Sequence, residues 1–272
     1  MRTSRRLCAA ALAALTIVGI SAAPAQAAPP GNDTYPGAEV IATIPFTVSL
    51  DTSEATTDAD DAELNAVCGA PAMDASVWYS FTATADEAYL ADARASSYSA
   101  GVFVATGSPG TFSVLACGPG GAAWQATAGE TYSIVVIDDQ IDGGGNGGAM
   151  ALTVDVAPPP PALEVTVSPT AQFDSRTGSA LLSGTILCGA DADFAFLEAQ
   201  LTQRVGRLLI RGFGGTEVTC DGTTRPWTLE VIGDNGLFKG GKSATVTFAA
   251  ACGVAFCSEY LNESTIQLRG GR

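Results

Sequence analysis

The chain has 272 residues, 47% of them hydrophobic, with 28 acids against 13 bases and a formal net charge of −15. It contains no histidine, which excludes the Ser-His-Asp and Cys-His nucleophile systems, the helical H-E-x-x-H zinc site and most transition-metal centres. The charge is unevenly placed: residues 28–161 hold 17 acids and one base (Arg94), a net of −16, whereas residues 162–272 hold 11 acids and nine bases, a net of −2; a phosphate backbone is repelled by the first half, so no nucleic-acid partner is expected.

Residues 1–27 read as a secretory signal peptide. Arg2, Arg5 and Arg6 form a basic n-region, residues 7–23 are apolar and small, and Ala25-Gln26-Ala27 is a small-x-small cleavage site. No later stretch is long and apolar enough to insert in a membrane as a helix. The expected location is extracellular. Cys8 leaves with the signal, and six cysteines remain: Cys68, Cys117, Cys188, Cys220, Cys252 and Cys257. An even number in an exported chain reads as disulfides. If bridges stay within each half, Cys68 pairs with Cys117. The other four allow three pairings, of which Cys188–Cys220 with Cys252–Cys257 is the most local.

Along residues 28–156 the pattern is of short β segments punctuated by Gly, Pro and Asp, with no long helical periodicity. Strands are expected at 38–50, 76–81, 89–93, 101–105, 112–117, 122–126, 131–137 and 149–156, with an acidic loop at 51–63. Trp78, Trp124 and, later, Trp227 fall inside strands and read as core residues, while Tyr35, Phe213, Phe238 and Tyr260 read as freer. Asp138, Asp139 and Asp142, ahead of a Gly-rich loop, are the candidate calcium ligands because hard cations take acidic oxygens. The EF-hand pattern itself fails, since its third and twelfth positions would be Gln140 and Ala149. Asp58, Asp60, Asp61 and Glu63 form a second acidic cluster.

Residues 157–162 carry four consecutive prolines, Pro158 to Pro161, which lack N–H donors and favour an extended, stiff spacer. Two domains, 28–156 and 163–272, are therefore expected on either side. In the second, strands fit 163–167, 179–188, 194–204, 207–213, 216–220, 227–232, 244–250 and 265–269, with turns at 174–178 and 234–236. A hairpin turning at Val205-Gly206 puts Leu197, Ala199, Leu201, Leu208 and Ile210 on one face. The other face takes Glu198, Gln200, Thr202, Arg204, Arg207, Leu209 and Arg211. Arg204, Arg207 and Arg211 are the candidate binding residues.

Asn32-Asp33, Ala55-Thr56-Thr57, the strand Ser76-Val77-Trp78-Tyr79-Ser80-Phe81 and the turn Thr127-Ala128-Gly129-Glu130-Thr131-Tyr132 resemble the bacterial pre-peptidase C-terminal domain over residues 31–156. The resemblance implies a jelly-roll-like β-sandwich with an accessory role outside the cell, in binding or targeting, with calcium in some members. Where many members carry Asn-Asp-Asp, this chain has Gly118-Pro119-Gly120-Gly121, a departure that bears on calcium. Gly184-Thr185 before Cys188, and Cys220-Asp221-Gly222, resemble uncharacterised secreted bacterial immunoglobulin-like domains. The expectation is an all-β protein of two antiparallel sandwiches, acting without catalysis as a binding module for an extracellular polysaccharide, cell wall or protein surface. The competing readings are a small carboxylate-dependent hydrolase and a structural envelope protein.

Overall fold

A computed structural model describes residues 28–270; the expected signal peptide and its cleavage site lie outside the described residues. The fold is nearly all β. The first half contains β1 (Glu39–Ile41), β2 (Phe46–Asp51), α1 (Ala59–Cys68), β3 (Asp74–Thr82), β4 (Ala88–Asp92), β5 (Ala100–Thr106), β6 (Ser113–Pro119), β7 (Gly121–Gln125), β8 (Thr131–Asp138) and β9 (Ala149–Val156). These form a five-stranded sheet, β1-β3-β8-β5-β6, facing a four-stranded sheet, β2-β9-β4-β7. Inward side chains of both sheets, among them Tyr79, Tyr89, Val104, Trp124, Ile134 and Leu152, make one core.

The five-stranded sheet is covered on its other face as well. Leu64 of α1 packs there on Trp78, Phe103, Val135 and Ile137, with Tyr35 and Phe112 at the rim. Double coverage explains why β5 and β8 read as unbroken apolar runs, Val102-Phe103-Val104-Ala105 and Ile134-Val135-Val136-Ile137, instead of alternating. It also moves Tyr35 out of the expected free set: its ring meets Trp78 edge-on at 5.4 Å.

Two further local expectations are corrected. The 38–50 segment is two short strands in different sheets, β1 beside β3 and β2 beside β9, with Pro45 in the connection. The expected loop at 51–63 gives way to a helix from Ala59. Asp58 caps it, accepting from the N–H groups of Asp60 and Asp61, and Asp61 accepts in return from the Asp58 N–H at 2.7 Å. Gly69, at φ 70°, ends it in the left-handed conformation that glycine adopts without cost.

The second half contains β10 (Leu163–Val167), β11 (Thr170–Phe173), β12 (Ala180–Cys188), β13 (Phe194–Val205), β14 (Leu208–Glu217), β15 (Thr224–Gly233), β16 (Gly241–Cys252) and β17 (Cys257–Gly270). The expected immunoglobulin-like pair of sheets is instead one eight-stranded sheet, β10-β12-β11-β17-β16-β13-β14-β15, in which β12 also pairs with β15. The ladder thus returns to its start and closes. One side of β12 takes β10 and β11 in succession; the other takes β15 along residues 180–187. The strand expected at 207–213 runs on as β14 to Glu217, so no separate strand forms at 216–220, and β11 is an additional strand. The interior holds Leu182, Leu197, Leu201, Ile210, Trp227, Leu229, Phe238 and Leu268; Phe238, expected to be free, is buried there.

The two halves bury separate apolar clusters, residues 41–154 in one set and 165–268 in the other. Among the described residues three disulfides hold the chain: Cys68–Cys117, Cys188–Cys220 and Cys252–Cys257. This is the most local of the pairings open in the second half. By loop-closure entropy the first two, spanning 49 and 32 residues, contribute about 4 kcal/mol each and the last, spanning 5, about 2. Among the described residues no helix is long and apolar enough to cross a membrane.

Candidate binding surfaces

The β13–β14 hairpin carries the arginines. Val205 pairs with Leu208, so the two-residue turn is Gly206-Arg207, one position later than expected. That shift removes a conformational conflict. A tight hairpin turn needs positive φ at its first central residue, and Gly206 supplies it at 63°, where Val205 would be strained. The register then puts Arg204 opposite Leu209 and Thr202 opposite Arg211, on the outer face of the sheet. Arg207 sits in the turn itself and not on that face. Leu197, Ala199, Leu201 and Ile210 point inward as expected; Leu208 shares their side but lies at the tip, largely exposed.

Arg204, Arg207 and Arg211 are all exposed, and among the described residues none of them makes an ion pair. Arg204 and Arg211 are diagonal neighbours, about 7–8 Å apart along the backbone. Around them Leu208, Leu209, Phe213 and Ile232 present large apolar side chains to solvent. The hairpin is braced from behind. The Asn235 side chain accepts from the Arg211 N–H at 2.9 Å and donates to the Leu209 carbonyl at 2.9 Å. The buried Gln203 amide exchanges two hydrogen bonds with the Lys239 backbone, at 2.7 and 2.9 Å. Arginines on a fixed hairpin, with apolar neighbours and no ion pair among the described residues, suit an anionic surface that offers apolar patches.

The aspartates are arranged differently. Asp138 accepts from the N–H groups of Gln140 (2.9 Å) and Gly147 (3.0 Å), Asp139 from Ile141 (3.0 Å), and Asp142 from Gly144 (2.9 Å) and Ser99 (3.2 Å). Their oxygens order the 139–148 loop. The structure does not bring the three together as a calcium cage, and no group of three or more such ligands converges among the described residues.

The second acidic cluster is likewise engaged in folding. Asp61, fully buried, accepts from the Trp78 indole N–H at 2.9 Å. Burial pushes its carboxyl up to about 6 against the hydrogen bonds from Asp58, Ser76 and Trp78 that favour the ionised form. Glu63 accepts from the Gly110 and Phe112 N–H groups, at 2.7 and 3.0 Å, and ties α1 to the loop before β6. All three tryptophans are buried, as expected, so none forms an exposed aromatic platform.

A family of unknown function (DUF6299) matches residues 161–252, a range that includes the whole arginine hairpin. No curated protein matches the chain. Among solved structures, a β-glucosidase from Listeria innocua in complex with gluconolactone aligns at 13% identity and a TM-score of 0.24, over 41% of this chain and 16% of that one. β-Glucuronidase 2 of Bacteroides uniformis aligns at 14% identity and 0.22, over 70% of this chain and 26% of that one. A glycosyl hydrolase family 2 member from Bacteroides cellulosilyticus aligns at 13% and 0.25, over 70% and 27%. The chain therefore spans about a quarter or less of these enzymes, and likeness at this level carries no weight for activity.

Proposed function

We propose that the protein is exported, loses residues 1–27, and acts outside the cell as a non-catalytic binding module. In this reading it consists of two β units joined by the 157–162 spacer. The second unit engages an acidic polymer, a cell-wall or environmental polysaccharide or an acidic protein surface, through the β13–β14 hairpin. The observation that carries the reading is the set of Arg204, Arg207 and Arg211, exposed, without ion-pair partners among the described residues and flanked by exposed Leu209 and Phe213. The division into two units is supported by their separate apolar cores and by the family match that begins at residue 161, inside the proline run. Export is supported by three disulfides. An accessory role is supported by the resemblance of residues 31–156 to a domain appended to secreted proteins.

The test is co-sedimentation of the mature protein with insoluble cell wall and with acidic and neutral polysaccharides. Wild type is retained on an acidic matrix. The Arg207→Glu/Arg211→Glu variant stays in the supernatant with an unchanged melting temperature. Retention of both proteins alike removes the hairpin from the interaction.

A further inference from the structure

A second site lies in the first half, away from the arginine hairpin and independent of it. Between the C-terminal end of α1 and the outer face of the five-stranded sheet is an open cavity of about 250 Å³. Its walls are apolar: the Cys68–Cys117 disulfide, Pro71, Phe103, Pro119, Ile137 and Ile141. Asp139 contributes the one charged side chain among its lining residues, and that residue is 3% exposed. One of its oxygens accepts from the Ile141 N–H, and among the described residues it makes no ion pair.

A second feature carries negative potential to the same place. On the cavity wall Cys68 is the last residue of a ten-residue helix that has no basic residue in its last turn; Gly69 is its cap, and Ala70 follows with its carbonyl accepting from the Asn65 side chain at 3.2 Å. A helix C-terminus carries roughly half a negative charge and favours a cation nearby. Gly101 keeps the floor low: a methyl group there would meet Ile137 at 3.0 Å and the Asp139 Cβ at 3.6 Å. A buried carboxylate, a helix C-terminus with no basic side chain in its last turn and apolar walls together select a cation on an aliphatic stem. The volume, below the roughly 300–1,000 Å³ of drug-sized sites, matches a single side chain.

We propose that this cavity binds the alkylammonium group of a lysine side chain presented by a basic protein or peptide partner. The ammonium meets Asp139 and the α1 carbonyl end, and the methylene stem lies against Phe103, Ile137 and Ile141. A partner is favoured over a free amine because the 17-to-1 excess of acids over bases in residues 28–161 is charge on the scale of a macromolecular surface. The Cys68–Cys117 bridge then does more than stabilise the fold, since it fixes the helix end that forms one wall.

The experiment is an amide NMR titration of the mature protein at constant ionic strength. The probes are Nα-acetyl-lysine methylamide, hexylammonium, and the neutral isostere Nα-acetyl-norleucine methylamide. The lysine probe should shift the Gly69, Gly101, Gly118 and Ile141 amides saturably, with the norleucine probe at least ten-fold weaker. Asp139→Asn, which keeps an acceptor for the Ile141 N–H, should erase that ten-fold preference. Ile141→Ser, at an exposed rim position, should weaken the lysine probe about three-fold without touching the fold. Equal binding of the neutral isostere, or shifts scattered over the acidic surface without saturation, would overturn the site. Hexylammonium binding ten-fold tighter than the lysine probe would overturn the peptide source.

Discussion

Asp61 makes the stability of the first half depend on pH in an unusual direction. Its carboxyl sits at the third position of α1, without solvent exposure, against the Trp78 indole. Its pKa rises from an ordinary 3.8 to about 6 because burial penalises the charge more than its hydrogen bonds favour it. The folded protein thus holds this proton more tightly than the unfolded chain. The resulting stabilisation is fully present below pH 3.8 and is lost as pH rises through about 6. A rise of that size corresponds to roughly 3 kcal/mol, most of which falls between about pH 7.5 and about pH 4. Asp61→Asn cannot titrate, so whatever fixed cost it carries is the same at every pH. Urea unfolding of both proteins, followed by tryptophan fluorescence with disulfides intact, should show wild type gaining about 2 to 3 kcal/mol on the variant as pH falls from about 7.5 to about 4. Taking the difference cancels the opposite pH dependence of carboxyls such as Asp92, which Arg94 holds below the usual range. Parallel stability curves for the two proteins would refute the reasoning.

Three further outcomes follow from the second half. Replacing Cys252 and Cys257 by serine should cost about 2 kcal/mol in urea unfolding, and replacing Cys188 and Cys220 about 4, because the second loop is longer; equal costs would contradict the loop-entropy account. Gly184→Ala should cost more than about 2 kcal/mol by the same assay, since its methyl would strike the Thr166 carbonyl and lie 2.8 Å from the Trp227 ring. Gly206→Ala puts an L-residue at φ 63°; it should cost about 1 kcal/mol and loosen the hairpin, seen as faster amide exchange at Val205 and Leu208.

Strand periodicity made much of this architecture readable in advance. The alternation in β13 and β16 and the apolar runs of β5 and β8 are direct consequences of which faces are covered. The helix was hidden because it buries only Asp61 and Leu64, so its apolar stripe is a single leucine. Its start was hidden too, since Asp58 and Asp61 form the cap with carboxylates where Ser/Thr with Glu is the usual signal. Closure of the second sheet rests on β12 pairing along its second edge with β15, three strands further along the chain, and nothing local announces that. The turn of the arginine hairpin lies one residue beyond the place that the alternation suggests, because that pattern runs through Val205 without a break and Gly206 alone marks the turn. The Asp139 cavity is invisible in the sequence: it joins a helix end, a disulfide and a glycine floor brought together only by packing.

The central claim is that an acidic polymer is held by the arginine hairpin. The most direct measurement is the affinity of the mature protein for the retaining acidic matrix at about 50 and about 500 mM salt, for wild type and for Arg207→Glu/Arg211→Glu. Wild-type binding should weaken at least ten-fold as salt rises, since the arginines are exposed and screened over about 10 Å or less, and the variant should show no measurable binding at either salt. Wild-type affinity indifferent to salt, or a variant that binds as well as wild type, would contradict the claim.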